Sequence, residues 1–361
     1  MPSATPITAI EILPRDVPLR EPFAIATGAQ LRADVAIARV TLAGGAVGLG
    51  EAAPFPAVSG ETRDRSAATM RAIAPSLEGH AAREHRLLAA AMAEGAPGEP
   101  AACAGIEMAL LDALARAWGA PLWALWGGVG PRSFTTDLTI TAGDGAHAAA
   151  SAGEAARRGF DTLKIKVGAR DPEEDAERVA LVRAAAPGAR LVLDANGGWS
   201  ARQALAHLRL LRARGIEVAA LEQPVAPDDL DGLAEVTRGS GATRVLADES
   251  ARSATDVVRL VRLGAAHGIN LKLTTTGVGE AVAMHAIARA AGLAILIGGM
   301  VETEVAMGFS AQLVRGLGGI DYVDLDTPLF LDGRITDGGT PFSGPTIEVG
   351  DAPGLGCTLR G

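Results

Sequence analysis

Residues 161–168 read DTLKIKVG, and the reading of this stretch decides the fold. Leu163, Ile165 and Val167 are the alternate apolar positions of a buried strand, yet the other alternation holds Lys164 and Lys166, two ammonium groups on one face. A solvated edge strand would explain the pattern, with one polar and one apolar face. A strand of a closed barrel explains it differently, because a barrel has no edge and its polar face points at the mouth.

The surrounding sequence favours the barrel. Downstream of DTLKIKVG come RLVLDA, VAALEQP, TRVLADE, GINLKL, LAILIGGM and IDYVDLD, short apolar runs of the kind found in parallel sheets covered on both faces. Between them lie helices with marked ends: Asp171 as N-cap with Pro172 in the first turn, a capping box at Ser200–Gln203, and stops at Pro187, Gly188, Gly215, Gly264 and Gly292. Counting such units does not exclude an open doubly wound sheet. The polar residues closing successive runs do tip the choice: Lys166, Asp194, Glu222, Asp248 and Lys272 are separated by 28, 28, 26 and 24 residues. In a barrel that ladder becomes a ring at the mouth, where active sites of this fold are built. Upstream, VAIARVTLAG and AVGLGEAAPF read as strands followed by Ala-rich helices over about 63–126, an α+β unit.

Composition narrows the function. The 361 residues are 48% hydrophobic and 21% charged, a globular balance, and the formal net charge of −9 argues against nucleic acid. Cys103 and Cys357 lack metal-ligand spacing, no leader-like start precedes the first strand, and no apolar run nears a membrane span. The expectation is a soluble cytoplasmic chain without a membrane partner; its assembly, homo-oligomer included, is left open.

The ring has a chemical reading of its own. Asp194, Glu222 and Asp248 are three carboxylates aimed at one point, which repel unless a cation joins them, and oxygen-only ligands select a hard ion such as Mg²⁺. Lys166 and Lys272 flank them, and Lys164 together with the metal is expected to lower the pKa of Lys166 from the ordinary value of about 10.4. Two bases on either side of a metal-stabilised enediolate suit 1,1-proton transfer.

KIKVG, LVLDANGGW, LEQP, LADES and INLKL, in this order, resemble the enolase superfamily and within it the muconate-lactonizing-enzyme subgroup. The resemblance implies an α/β fold, a modified TIM barrel (β/α)7β over residues 129–329, with an N-terminal α+β capping domain over 1–128 completed by a tail over 330–361. It implies Lys166 and Lys272 as the acid/base pair, Asp194, Glu222 and Asp248 as Mg²⁺ ligands, and Lys164 beside the substrate carboxylate.

The subgroup hosts several reactions, so the substrate needs its own signal. Asp324 and Asp326 in IDYVDLDTPLF lie two apart on one face of the last strand and resemble the D-x-D of dipeptide epimerases, which holds an α-ammonium. Thr139 matches a substrate-contact position of those enzymes. Gly299 and Val301 share a face near the seventh strand end, the glycine letting substrate approach the backbone. REPFAIATGAQ resembles the loop that closes the mouth. Epimerases specific for Ala-Glu tend to carry an arginine there, whereas Ala24, Ile25, Ala26, Thr27 and Gly28 offer none before Arg32. The expectation is an epimerase of hydrophobic or broadly neutral dipeptides. Its rivals are o-succinylbenzoate synthase, N-succinylamino acid racemase or cycloisomerase chemistry, a Schiff-base aldolase, and a barrel that only binds dipeptides.

Overall fold

The computed structural model describes residues 5–25, 28–169 and 171–360. The chain begins with an antiparallel sheet of three strands, Ile7–Ile25, Gly28–Leu42 and Val47–Ala52, in that order. The first of these escaped the sequence reading because Pro14, Pro18 and Pro22 argue against a strand interior. It forms as an edge strand, where proline is tolerated, and its register shifts between Pro18 and Phe23. Helix Pro100–Ala117 lies against the third strand and is buried on nearly every side. Its close approach needs small residues: a Cβ at Gly50 would stand 2.1 Å from the Gly105 carbonyl oxygen.

Eight parallel strands then follow in sequence order: Leu138–Ile140, Thr162–Lys166, Arg190–Asp194, Ala220–Glu222, Arg244–Ala247, Gly268–Lys272, Ala294–Gly298 and Tyr322–Val323. The Asp137 amide donates to the Val323 carbonyl at 3.0 Å, so the first and last of them meet. Seven longer helices connect the strands, giving the expected (β/α)7β order. Asp171 accepts from the Glu173 amide, Ser200 and Gln203 form the capping box, and Gly264 ends its helix at φ 57°. Two residues below the mouth positions, Val192, Ala220, Leu246 and Leu296 join Tyr322 in an apolar cluster. Each fully buried Val or Leu there contributes about 1.5–3 kcal/mol, which makes the floor of the mouth stiff.

Carboxylates of the N-terminal unit fasten it to the barrel. Glu51 accepts from the Thr303 amide at 2.8 Å, the Thr303 hydroxyl at 2.5 Å and the Ala306 amide at 3.1 Å. Glu107 accepts from Val278 and Gly279 at 2.6 and 2.9 Å. Both sit at the starts of barrel helices, where the first amides have no partner within the helix. The C-terminal segment returns to the same unit, with Asp332 N donating to Pro18 O and Leu355 N to Asp112. No described helix is long and apolar enough to cross a membrane.

Candidate active site

The ladder residues fall at strand ends because their runs are all a few residues long. Lys166, Asp194, Glu222 and Lys272 are the last residues of their strands, and Asp248 follows Ala247 directly. Lys166, Asp194 and Glu222 are register neighbours across three strands. The two lysines lie on the second and sixth strands, with the three acid-bearing strands between them. All five side chains are buried. The backbone is strained here: Asn196 and Gln223, just past Asp194 and Glu222, are the described non-glycine residues with positive φ, 42° and 33°. Gln223 turns that strain to use, since its Oε1 accepts from the Asp248 and Ser250 amides and so ties LEQP to LADES.

Lysine ammonium groups lie against the three acids. Lys166 Nζ is 2.6 Å from Asp194, Lys272 Nζ is 2.5 Å from Asp248, and Lys164 Nζ stands 3.2 Å from Asp194, 2.8 Å from Glu222 and 2.7 Å from Asp324. Burial works against the Lys164 charge, but Asp324, Glu222 and Asp194 outweigh it and hold the pKa well above the usual lysine range. Lys272 is likewise raised, against burial, by Asp248 and Glu222. Lys164 is therefore the hub between Asp194, Glu222 and the D-x-D pair. Burial and Asp194 push Glu222 up to about 7, and its Oε2 makes no directed hydrogen bond although Lys164 lies close. Its anion is under-compensated. Asp194, Glu222 and Asp248 do not converge within 4.8 Å of one another, lysine ammoniums standing against them, but an oxygen-only set with such a carboxylate suits a hard divalent cation.

On the far side of Lys164 lies a second acidic group. Oxygens of Asp137, Asp324 and Asp326 lie within 4.8 Å of one another and are buried. Asp324 and Asp326 do not share a strand face as expected, since the last strand ends at Val323; they converge from the turn beyond it. Thr139 also lines the cavity, but its amide donates to Asp326 Oδ2 at 2.6 Å. Gly299 lines it as well, yet a Cβ there would meet Met307 at 2.4 Å and Glu302 at 2.9 Å, so packing already demands glycine. Val301 is buried in the core and is not among the cavity-lining residues.

Several contributors carried no motif. Asn270 Nδ2 donates to Glu222 Oε1 at 2.7 Å, two positions before Lys272 on the same strand face, and Asn196 accepts from Lys166 at 3.4 Å. Asp137, two before Thr139, had the same alternation as its only signal. Over the mouth lie Phe23, Ile25, Phe55 and Val58, with Met300 at the rim. Phe23 meets Phe330 edge-to-face at 5.7 Å, and Ala24 O accepts from the Ala142 amide of the barrel. Ala26 and Thr27 of the expected closing loop lie outside the described residues. Arg32 pairs with Asp16 at the surface, away from the cavity.

Comparison with known proteins gives matches over nearly the whole chain. A family model described as the mandelate racemase / muconate lactonizing enzyme N-terminal domain matches residues 7–127, and one described as Enolase C-terminal domain-like matches 147–361. The chain is 46% identical to an aromatic dipeptide epimerase of Herpetosiphon aurantiacus, over 98% of this chain and 99% of that one. It is 36% identical to a hydrophobic dipeptide epimerase of Citrifermentans bemidjiense, over 95% of each. A crystal structure of dipeptide epimerase from Enterococcus faecalis complexed with Mg and L-Leu-L-Tyr superposes with a TM-score of 0.94 at 32% identity, over 98% of this chain and 99% of that one.

Proposed function

We propose that this chain, which belongs to the enolase superfamily through its mandelate racemase / muconate lactonizing enzyme N-terminal domain and its enolase-like C-terminal domain, is an Mg²⁺-dependent dipeptide epimerase. The observation that carries the reading is the order across the mouth. Lys166 and Lys272 flank the carboxylates of the three strands between them, and Lys164 links those carboxylates to Asp324 and Asp326.

In this reading one lysine removes the α-proton of the C-terminal residue and the other delivers a proton to the opposite face. Asp194, Glu222 and Asp248 are the residues that would hold Mg²⁺, which when bound would supply positive charge to offset the anion left by proton removal. Lys164 lies beside the substrate carboxylate, and Asp324 and Asp326 take the α-ammonium one residue away. Thr139 acts by fixing Asp326. Phe23, Ile25, Phe55, Val58 and Met300 exclude water and favour a hydrophobic or neutral side chain, with no arginine among the described lining residues.

The formal net charge of −9 argues against nucleic acid as a partner, and two cysteines without a disulfide framework or metal-ligand spacing favour a reducing, cytoplasmic setting. The bonds from Asp332 to Pro18 and from Leu355 to Asp112 support grouping residues 330–361 with a cap over 1–128 around a barrel over 129–329, while Thr346–Glu348 pairs with Ser133–Thr135 of the barrel range. A deuterium-exchange screen tests the function: in D₂O with Mg²⁺, L,L-dipeptides with apolar C-terminal residues gain deuterium at that α-carbon. No exchange across a broad library, with turnover of an o-succinylbenzoate or muconate precursor instead, would replace it by a lyase or cycloisomerase reading, whose substrates have no ammonium for Asp324 and Asp326.

A further inference from the structure

The acidic group at the end of the barrel is one carboxyl larger than the D-x-D pair requires. Asp137 is 4% exposed, its backbone pinned by the bond from its amide to Val323 O. The charged groups facing it are Asp324 and Asp326, from beyond the last strand, and Lys164, from the second. Among the described residues the Lys164 ammonium faces all three acids while dividing itself further between Glu222 and Asp194, and Lys166 and Lys272 act on Asp324 as well. Carboxylates crowded in a dry site do not all ionise; one keeps a proton that it shares by hydrogen bonding with a neighbour.

The surroundings select which acid keeps it. Asp324 has Lys164 at 2.7 Å, which draws it below the usual carboxylate range even though burial acts the other way. Asp326, although pushed up to about 7 by burial and Asp324, has the Thr139 amide at 2.6 Å, a donor that favours the anion. Asp137 has no such amide donor among the described residues; its Oδ1, like that of Asp326, accepts no hydrogen bond, so the Thr139 amide is what separates the two. Burial first, then Asp324 and Asp326, push Asp137 well above the usual range, with only Lys164 opposing.

We infer that Asp137 is a positioning residue: as a neutral carboxylic acid it donates a hydrogen bond to Asp324 and leaves Asp324 and Asp326 as the anionic pair presented to the substrate's ammonium. The ammonium rests on the dipeptide reading above; the proton on Asp137 does not. With Asp137 neutral, Asp324 and Asp326 still outweigh the share of the Lys164 charge that reaches this corner, an excess of negative charge that one ammonium offsets. An ionised Asp137 would add a third negative charge, repelling Asp324 and Asp326 and leaving more negative charge than one ammonium offsets.

Difference infrared spectroscopy on the Mg²⁺-loaded protein at neutral pH tests the proton. Wild type minus Asp137→Asn is expected to show the C=O stretch of a protonated carboxyl; its absence overturns the inference, whether or not any dipeptide turns over. Kinetics tests the positioning. Asp137→Asn, which retains a neutral donor, is expected to restore KM close to wild type, whereas Asp137→Val raises KM roughly tenfold to a hundredfold with kcat little changed. Equal impairment of both variants, or a loss confined to kcat, overturns it. Lack of turnover by wild type with a band present points instead to failure of the dipeptide reading.

Discussion

On the barrel side of the cavity, Lys166, Asp194, Glu222 and Lys272 end strands locked into a parallel ladder, above an apolar plug. On the cap side, Phe23 and Ile25 come from the end of an edge strand, and Phe55 and Val58 from the segment after the third strand. Groups that move protons need fixed geometry, and strand ends in a closed sheet give it. Groups that select a side chain need shape alone, and elements at the margin of a small sheet supply it while leaving the barrel untouched. The comparison predicts a division of labour: barrel substitutions remove chemistry, and cap substitutions redirect it.

The strongest way to break that division is at the bases. Lys166→Ala and Lys272→Ala are each expected to lower epimerisation roughly 10²–10⁴-fold while Mg²⁺ still binds, read by α-deuterium exchange and by calorimetry. Full turnover in either variant would remove the two-base chemistry. Chelation with EDTA is expected to stop turnover, and added Mg²⁺ to restore it. A finer probe is Asn270, which hydrogen-bonds Glu222 among the described acids of the ring; Asn270→Ala is expected to cost roughly tenfold to a hundredfold in Mg²⁺ affinity. Unchanged affinity would mean that Glu222 needs no such support.

The cap side is sharpened by Ile25→Arg, which places a cation in the apolar lid. The ratio of kcat/KM for an apolar over an acidic C-terminal residue is expected to fall roughly tenfold to a hundredfold. An unmoved ratio would take selectivity away from the lid. The smallest expected effect on chemistry is Glu51→Gln, because Glu51 joins the two regions without lining the cavity. Burial pushes the Glu51 carboxyl up to about 7, and weakening its hydrogen bonds to the helix start is expected to cost about 0.5–1.5 kcal/mol in thermal denaturation, with kcat unchanged below the transition.

How far these regions were legible in the sequence differs for physical reasons. Short parallel strands place a residue type at a fixed offset from each apolar run, so Lys166, Asp194, Glu222, Asp248 and Lys272 could be aligned by counting. Asn270 and Asp137 stand at the same alternation but repeat in no pattern, and their partners are 48 and 187 residues away, Glu222 and Asp324. The cap's first strand was hidden by three prolines whose tolerance depends on its being an edge, which is a property of the sheet.

Sequence alone thus determined the barrel, the ring of lysines and carboxylates at its mouth and the reaction type those groups allow, because each follows from local periodicity and residue chemistry. Tertiary structure decided how the charges pair. Lys164 became the hub between two acidic groups, Thr139 was committed to Asp326, Gly299 was demanded by Met307, and Val301 was withdrawn into the core. Those outcomes depend on distances of a few ångströms between strands far apart in the chain, where burial sharpens every charge interaction and no local pattern records it.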